Sequence, residues 1–217
     1  PVILLSESYI GNGAEPWKIK TTEELLDIKP ELINGGKENW EPYKRDVEKL
    51  VRKWVVPGTQ GMQHRIGGLE KQDGSGNVSY SPENHKKMIE IRKNKIDRVA
   101  DFIPLQRVRG KEATKLLVVG WGGQFGILYG AVNELREEGK DIGFVNFNYI
   151  NPFPKNTAEI FSKFDKIVVC ELNNGQLADH LRTKFPQFTY LQYNKVQGLP
   201  FKIAELKIKF NQLLEEN

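Results

Sequence analysis

Cysteine is nearly missing from this chain of 217 residues, with Cys170 the single example. One thiol cannot close an internal disulfide, and it cannot by itself hold an iron–sulfur cluster or a structural zinc ion. Long apolar runs are missing too. The first, Pro1 to Leu5, is too short for a secretory leader, and nothing approaches the ~20 residues that a membrane span needs. A cytoplasmic location without a membrane partner is therefore expected. Charge of one sign is also scarce, since 32 Lys and Arg stand against 28 Asp and Glu, a net of +4. The positive excess is local: from Glu83 to Lys111 there are nine Lys or Arg and four Asp or Glu. Without interleaved aromatics this reads as a solvated helix face, and no nucleic-acid partner is expected. Neither His85 nor His180 has Cys, Asp or Glu at metal-ligand spacing, so both read as helix-surface residues and no metal site is expected.

What is present divides at about residue 113. Residues 1–113 are expected to form an irregular, partly helical segment. Pro1-Val-Ile-Leu-Leu-Ser has the pattern of a buried strand, which requires neighbours, and the next hundred residues offer no convincing one. Residues 15–57 are rich in charge and proline. Residues 57–80 carry six glycines, Gly58, Gly61, Gly67, Gly68, Gly74 and Gly76, and read as a structured loop. Ser81-Pro82-Glu83 then opens a helix, with Ser81 as cap and Pro82 at the first helical position. Ile89, Ile96, Val99 and Ile103 predict one buried stripe running to Pro104.

Residues 114–217 alternate strands and helices. Strands are expected from Leu116, at Ile142–Phe147, at Lys166–Leu172 and at Phe188–Tyr193. Helices are expected at Ile127–Glu138, Ala158–Phe164, Gln176–Lys184 and Ile203–Leu214. This order predicts a layered α/β domain with a mostly parallel sheet, whose ligand or partner edge lies at the carboxyl ends of the strands.

Three segments could carry chemistry. Gly120-Trp-Gly-Gly-Gln-Phe-Gly126 joins a strand to a helix, but Phe125 stands where a dinucleotide fingerprint needs its third glycine. The strand ending at Phe147-Asn148 also lacks the ribose-binding acid. Gly120, Trp121 and Gly122 are thus expected to form a tight turn at an interface or ligand edge. Glu171-Leu-Asn-Asn-Gly175 ends a strand at the same edge, with Asn173 or Asn174 available as a helix cap. In the glycine loop, His64 and Arg65 bring an imidazole beside a planar guanidinium suited to a carboxylate or phosphate. Cys170, between Val169 and Glu171, reads as an inert buried thiol. No nucleophile elbow or Ser-His-Asp arrangement is legible, so no catalytic residue is assigned.

Several of these segments together resemble one family. Gly61-Met-Gln-His-Arg-Ile-Gly-Gly-Leu-Glu-Lys and Gly76-Asn-Val-Ser-Tyr-Ser-Pro-Glu-Asn-His look like the loop and helix entry of 2-oxoglutarate:ferredoxin oxidoreductase α subunits. Leu117-Val-Val-Gly-Trp-Gly, Asn151-Pro-Phe-Pro, Glu171-Leu-Asn-Asn-Gly-Gln-Leu and Asn194-Lys-Val-Gln-Gly-Leu-Pro-Phe resemble its transketolase C-terminal-like domain. Pro1-Val-Ile-Leu-Leu-Ser resembles the last strand of its pyrimidine-binding domain. Gln63 stands where the family often has Glu, and Ser81 where it often has Asp.

The resemblance implies the C-terminal part of an α subunit, not active alone. Residues 1–113 would hold the end of the pyrimidine-binding domain, the loop and a linker helix, and residues 114–217 the transketolase C-terminal-like domain. The enzyme it implies uses thiamine diphosphate and magnesium in the full complex and converts 2-oxoglutarate, coenzyme A and oxidised ferredoxin to succinyl-CoA, carbon dioxide and reduced ferredoxin. The iron–sulfur cluster would lie on a partner β subunit, with αβ units assembling further and no cofactor held by this chain alone. His64 and Arg65 would bind substrate or line the active site. The alternative is a non-catalytic assembly domain of a related pyruvate-type complex. A nicotinamide-binding dehydrogenase domain is disfavoured by the fingerprint mismatch.

Overall fold

In the computed structural model the described residues are 2–6, 11–35 and 40–216. Leu116, Leu117, Val118 and Val119 are all fully buried, which a strand achieves only when both faces of its sheet are covered. They form the centre of β4 (Thr114–Trp121), numbering strands from the short parallel pair β1 (Leu32–Ile33) and β2 (Trp54–Val55) through β3 (Arg109–Gly110). β5 (Ile142–Phe147), β6 (Phe164–Glu171) and β7 (Tyr190–Asn194) complete a five-stranded sheet of order β3-β5-β4-β6-β7. Val118 registers with Phe144 on one side and Val168 on the other, and β4 to β7 run parallel. The mostly parallel α/β fold is as expected. The sequence reading missed β3, an antiparallel edge of two residues, too short to show any periodicity.

The helices are α1 (Pro82–Asp97), α2 (Phe125–Glu137), α3 (Thr157–Phe161), α4 (Gln176–Lys184) and α5 (Ile203–Glu215). Alternation along β4 sends Leu116 and Val118 to one face, where they meet Leu128, Leu206 and Phe210 of α2 and α5. Leu117 and Val119 go to the other face, against Ile160, Phe161 and Leu181 of α3 and α4. Burial of each such side chain contributes roughly 1.5–3 kcal/mol. α2 stops where the chain turns left-handed at Gly139, φ +81°. The amides of Gly139 and Lys140 there donate to the carbonyls of Arg136 and Leu135, both at 2.9 Å. Lys207 of α5 pins α2 by reaching Glu134 at 2.8 Å and Glu138 at 2.7 Å.

Two expectations for the N-terminal half fail. Val2 to Leu5 form no strand and are exposed. A strand persists only where neighbours take its N–H and C=O groups, and among the described residues none borders this segment. The stripe on α1 does not face a core either, because Ile89, Ile96 and Val99 are exposed and Met88 is the buried residue. The inner row is Asn84, Met88 and Ile91, with Met88 buried and the other two half-buried, so the apolar spacing pointed to a neighbouring side. The regular helix ends at Asp97, and a 3-10 turn, Arg98–Asp101, follows it.

Candidate functional site

The glycine loop is fastened to the chain on both sides. Its backbone bridges Tyr43 to Gly74 and Lys71 to Val78. The Tyr43 ring lies under the Arg52 guanidinium, 4.7 Å from its carbon, and its hydroxyl donates to the carbonyls of Arg65 at 3.3 Å and Ile66 at 3.2 Å. Gly76 approaches the same ring at φ +74°, where a β-carbon would sit 2.5 Å from Tyr43 Cδ2, so only glycine suits the position. Asn84 ties the loop to α1: its amide nitrogen donates to the Lys71 carbonyl at 3.1 Å, and its oxygen accepts from the Asp73 amide at 3.1 Å. Lys71, itself buried, turns its ammonium onto the carbonyls of Gly67, at 2.9 Å, and Leu69.

This scaffold presents His64 and Arg65 differently. His64 Nδ1 lies 2.9 Å from the Met62 carbonyl, which can only accept, so Nδ1 carries the proton and the neutral ring keeps its lone pair on Nε2. The edge of the Trp40 ring fixes the imidazole, with centroids 4.9 Å apart. Arg65 is exposed and its guanidinium lies over Gly68. Among the described residues it has no carboxylate partner. The two side chains are neighbours but share no acceptor. Beside them Glu70 accepts from His85 Nδ1 at 2.6 Å and from Arg92, and these bonds, that of His85 foremost, hold its carboxyl below the usual range.

At the sheet crest the structure joins Trp121 and Asn173 around a third residue. β4 sits where chain order turns from β5 on one side to β6 on the other, so the crevice beyond their carboxyl ends is the usual ligand position. It is closed by Glu171. This fully buried carboxylate accepts from the Leu177 amide at 2.9 Å, the Ala178 amide at 3.0 Å and Trp121 Nε1 at 3.2 Å. The side-chain oxygen of Asn173 takes the amides of Gly175 at 2.8 Å and Gln176 at 3.0 Å. All four N-terminal donors of α4 that these residues meet are thus satisfied by the chain itself. Asn174 is exposed and takes no part. Gly122 supplies a left-handed turn at φ +60°, and Gly120 lets Leu128 lie against its backbone.

His180 differs from the surface role expected of it. It is half-buried, stacks on Phe153 with centroids 5.1 Å apart, and its Nε2 lies 2.8 Å from the Ile150 carbonyl. His85 is exposed, as expected. Burial pushes the Cys170 thiol far above its ordinary range, which makes it a poor nucleophile and ligand.

Sequence reasoning missed Tyr43, Trp40 and Lys71, because the contacts of Tyr43 and Trp40 span more than twenty positions. Glu171 left a signal: a carboxylate ending an apolar strand and standing five residues before a helix.

Residues 114–205 match the family described as pyruvate:ferredoxin oxidoreductase core domain II. The 2-oxoglutarate oxidoreductase subunit KorA of Mycobacterium tuberculosis is 41% identical over 207 residues, covering 95% of this chain and 31% of that protein. Along nearly its whole length the chain is thus similar to a subunit of a 2-oxoacid oxidoreductase. The 2-oxoglutarate synthase subunit KorA of Methanocaldococcus jannaschii is 30% identical over 179 residues, covering 82% of this chain and 46% of the relative. The chain therefore spans about a third to a half of the length of these relatives. A solved 2-oxoglutarate:ferredoxin oxidoreductase from Magnetococcus marinus, with 2-oxoglutarate, coenzyme A and succinyl-CoA bound, superposes with a TM-score of 0.76 at 24% identity. That match covers 83% of this chain and 32% of the solved one, and it establishes a shared fold. The crest of the α/β domain offers no open anion seat at α4, whereas the loop that carries Arg65 offers a cation that no carboxylate among the described residues neutralises.

Proposed function

We propose that this chain is part of the α subunit of a 2-oxoglutarate:ferredoxin oxidoreductase and acts only within the assembled complex. The reaction is 2-oxoglutarate, coenzyme A and oxidised ferredoxin to succinyl-CoA, carbon dioxide and reduced ferredoxin. The observation that carries this reading is the 41% identity to a 2-oxoglutarate oxidoreductase subunit along 95% of the chain. In this reading residues 1–113 end one domain and carry the loop, residues 114–217 form the transketolase C-terminal-like domain, and the complex works in the cytoplasm.

Thiamine diphosphate, magnesium and an iron–sulfur cluster belong to the same reading, but the described residues of this chain do not fit them. Among the described residues no three His, Cys, Asp or Glu gather as a metal site. The single thiol is buried, and the helix end at the crest already holds Glu171. These groups are accordingly assigned to the remainder of the α subunit and to a β subunit.

Arg65 is assigned to a carboxylate of the 2-oxoacid, with His64 lining the same site. Its guanidinium has no internal partner among the described residues, while Tyr43 fixes its backbone in place. The test is Arg65→Ala in the complete complex, with ferredoxin reduction as readout. Loss of two charge-assisted hydrogen bonds should raise KM for 2-oxoglutarate by about 10- to 100-fold. Unchanged KM and kcat would remove Arg65 from the site. A complex that reduces ferredoxin with other 2-oxoacids but not 2-oxoglutarate would overturn the substrate.

The closed crest favours a supporting role for residues 114–217. Substitutions at Gly122 or Asn174 should then disturb assembly before turnover.

A further inference from the structure

Met88, Arg92 and Lys95 of α1 line a cavity of about 600 Å³ between the helix, the glycine loop and β2. Its walls include Tyr43, Arg52, Trp54, Ile66, Lys71 and Lys95. Five lining residues are cationic, Arg45, Arg52, Lys71, Arg92 and Lys95, against one acid, Glu70. Two of the cations are already matched, Arg45 by Asp73 at 2.8 Å and Arg92 by Glu70. The other three have no carboxylate within ion-pair distance among the described residues.

Lys71 is the most telling of the three. It is 7% exposed, and among the described residues its ammonium meets two carbonyl oxygens and no carboxylate. A buried cation without a counter-charge is costly, and an anion in the adjoining cavity would relieve that cost. Arg52 rests on the Tyr43 ring, and Lys95 has no partner among the described residues.

The rim adds an aromatic surface. Trp54 is 64% exposed, with Ile66 and Leu69 also open to solvent. An exposed indole beside unneutralised cations suits a ligand that joins a flat ring to phosphates, through stacking at one end and charge-assisted hydrogen bonds at the other. The volume lies within the roughly 300–1,000 Å³ usual for small-molecule sites, which argues against an acidic protein face.

We propose that this cavity binds an adenosine phosphate group, its phosphates held by Arg52, Lys71 and Lys95 and its base laid on Trp54. The same chemistry has two sources, a free nucleoside diphosphate and the nucleotide end of coenzyme A. The inference concerns binding by this chain and stands whether or not the oxidoreductase reading holds.

The test is calorimetric titration of the whole chain at low salt with ADP, adenosine 3′,5′-bisphosphate, adenosine, pyrophosphate and a polyglutamate peptide. One nucleotide should bind at a single site at least about tenfold more tightly than adenosine or pyrophosphate. Preference for the 3′,5′-bisphosphate assigns the coenzyme, and preference for ADP assigns the free nucleotide. Lys95→Glu should weaken binding by about tenfold or more. Lys86→Glu, on the same helix but outside the cavity, should leave binding unchanged. Trp54→Ala should weaken nucleotide binding by about tenfold and leave that of pyrophosphate unchanged, with circular dichroism confirming that each variant folds and Lys95→Gln replacing any that does not. The proposal is overturned if neither nucleotide binds, if Lys95→Glu binds as the parent does, if pyrophosphate binds as tightly as the nucleotide, or if only the peptide binds.

Discussion

The indole nitrogen of Trp121 donates to the Glu171 carboxylate across 3.2 Å, linking the ends of two adjacent parallel strands. The same carboxylate takes two amides at the start of α4, so one buried charge joins β4, β6 and the helix. Glu171→Gln should lower stability by about 1–3 kcal/mol, because an amide nitrogen must then face donors it cannot accept from. Denaturant unfolding checks this. Trp121→Phe should cost less, since the two backbone donors keep their acceptor.

Gly76→Ala places a β-carbon against the Tyr43 ring at a left-handed backbone position. A loss of about 1–3 kcal/mol is expected, confined to the loop. Limited proteolysis should show faster cleavage in residues 58–76, with the sheet's amide-exchange protection unchanged.

Lys71→Met keeps the stem of the side chain but strips the cation from the carbonyls of Gly67 and Leu69. Amide exchange of residues 66–70 should accelerate by about tenfold, the loss of one or two charge-assisted hydrogen bonds. Exchange rates like those of the parent chain would show that the lysine does not hold the loop.

Stability should fall at high pH. Burial raises the Tyr190 hydroxyl to about 12 from its ordinary 10, and it also raises the Cys170 thiol. Both groups are neutral in the folded state while the unfolded chain loses protons, so stability is full below the ordinary thiol range and declines as pH rises through 9 and beyond. Tyr190→Phe should flatten the part of the decline above about pH 10, the ordinary tyrosine range. On the acid side the sign reverses. Glu205 is held low by Lys195 and Glu70 by His85, so their contributions are full above the ordinary carboxylate range and are lost as pH falls below it through their lowered values.

Legibility in the sequence followed the length of the packed pattern. Ile142–Phe147 and Gln176–Lys184 coincide with their expected bounds, because a largely buried apolar run and a preceding glycine mark them locally. β6 starts two residues earlier than expected, at Phe164, which pairs with Thr114 where periodicity is already weak. The first hundred residues were far less legible. There the order comes from Tyr43, Asn84 and Lys71 holding backbone groups distant in sequence, and polar contacts of that kind leave no period. The apolar stripe of α1 misled as well, since the helix turns Asn84, Met88 and Ile91 inward and leaves Ile89 and Ile96 exposed. Of the candidate site, residue types were readable but surroundings were not: the exposure of Arg65 and the fixed tautomer of His64 depend on Tyr43, Met62 and Trp40.

The plug at the crest has a further effect on selectivity. Because Glu171 is tethered to the strand it caps, it competes for the α4 amides at an effective concentration of the order of millimolar or higher. Any free phosphate ester arriving there must evict a rival that never diffuses away. Metabolites bearing such esters are thereby turned aside from this crevice without steric obstruction.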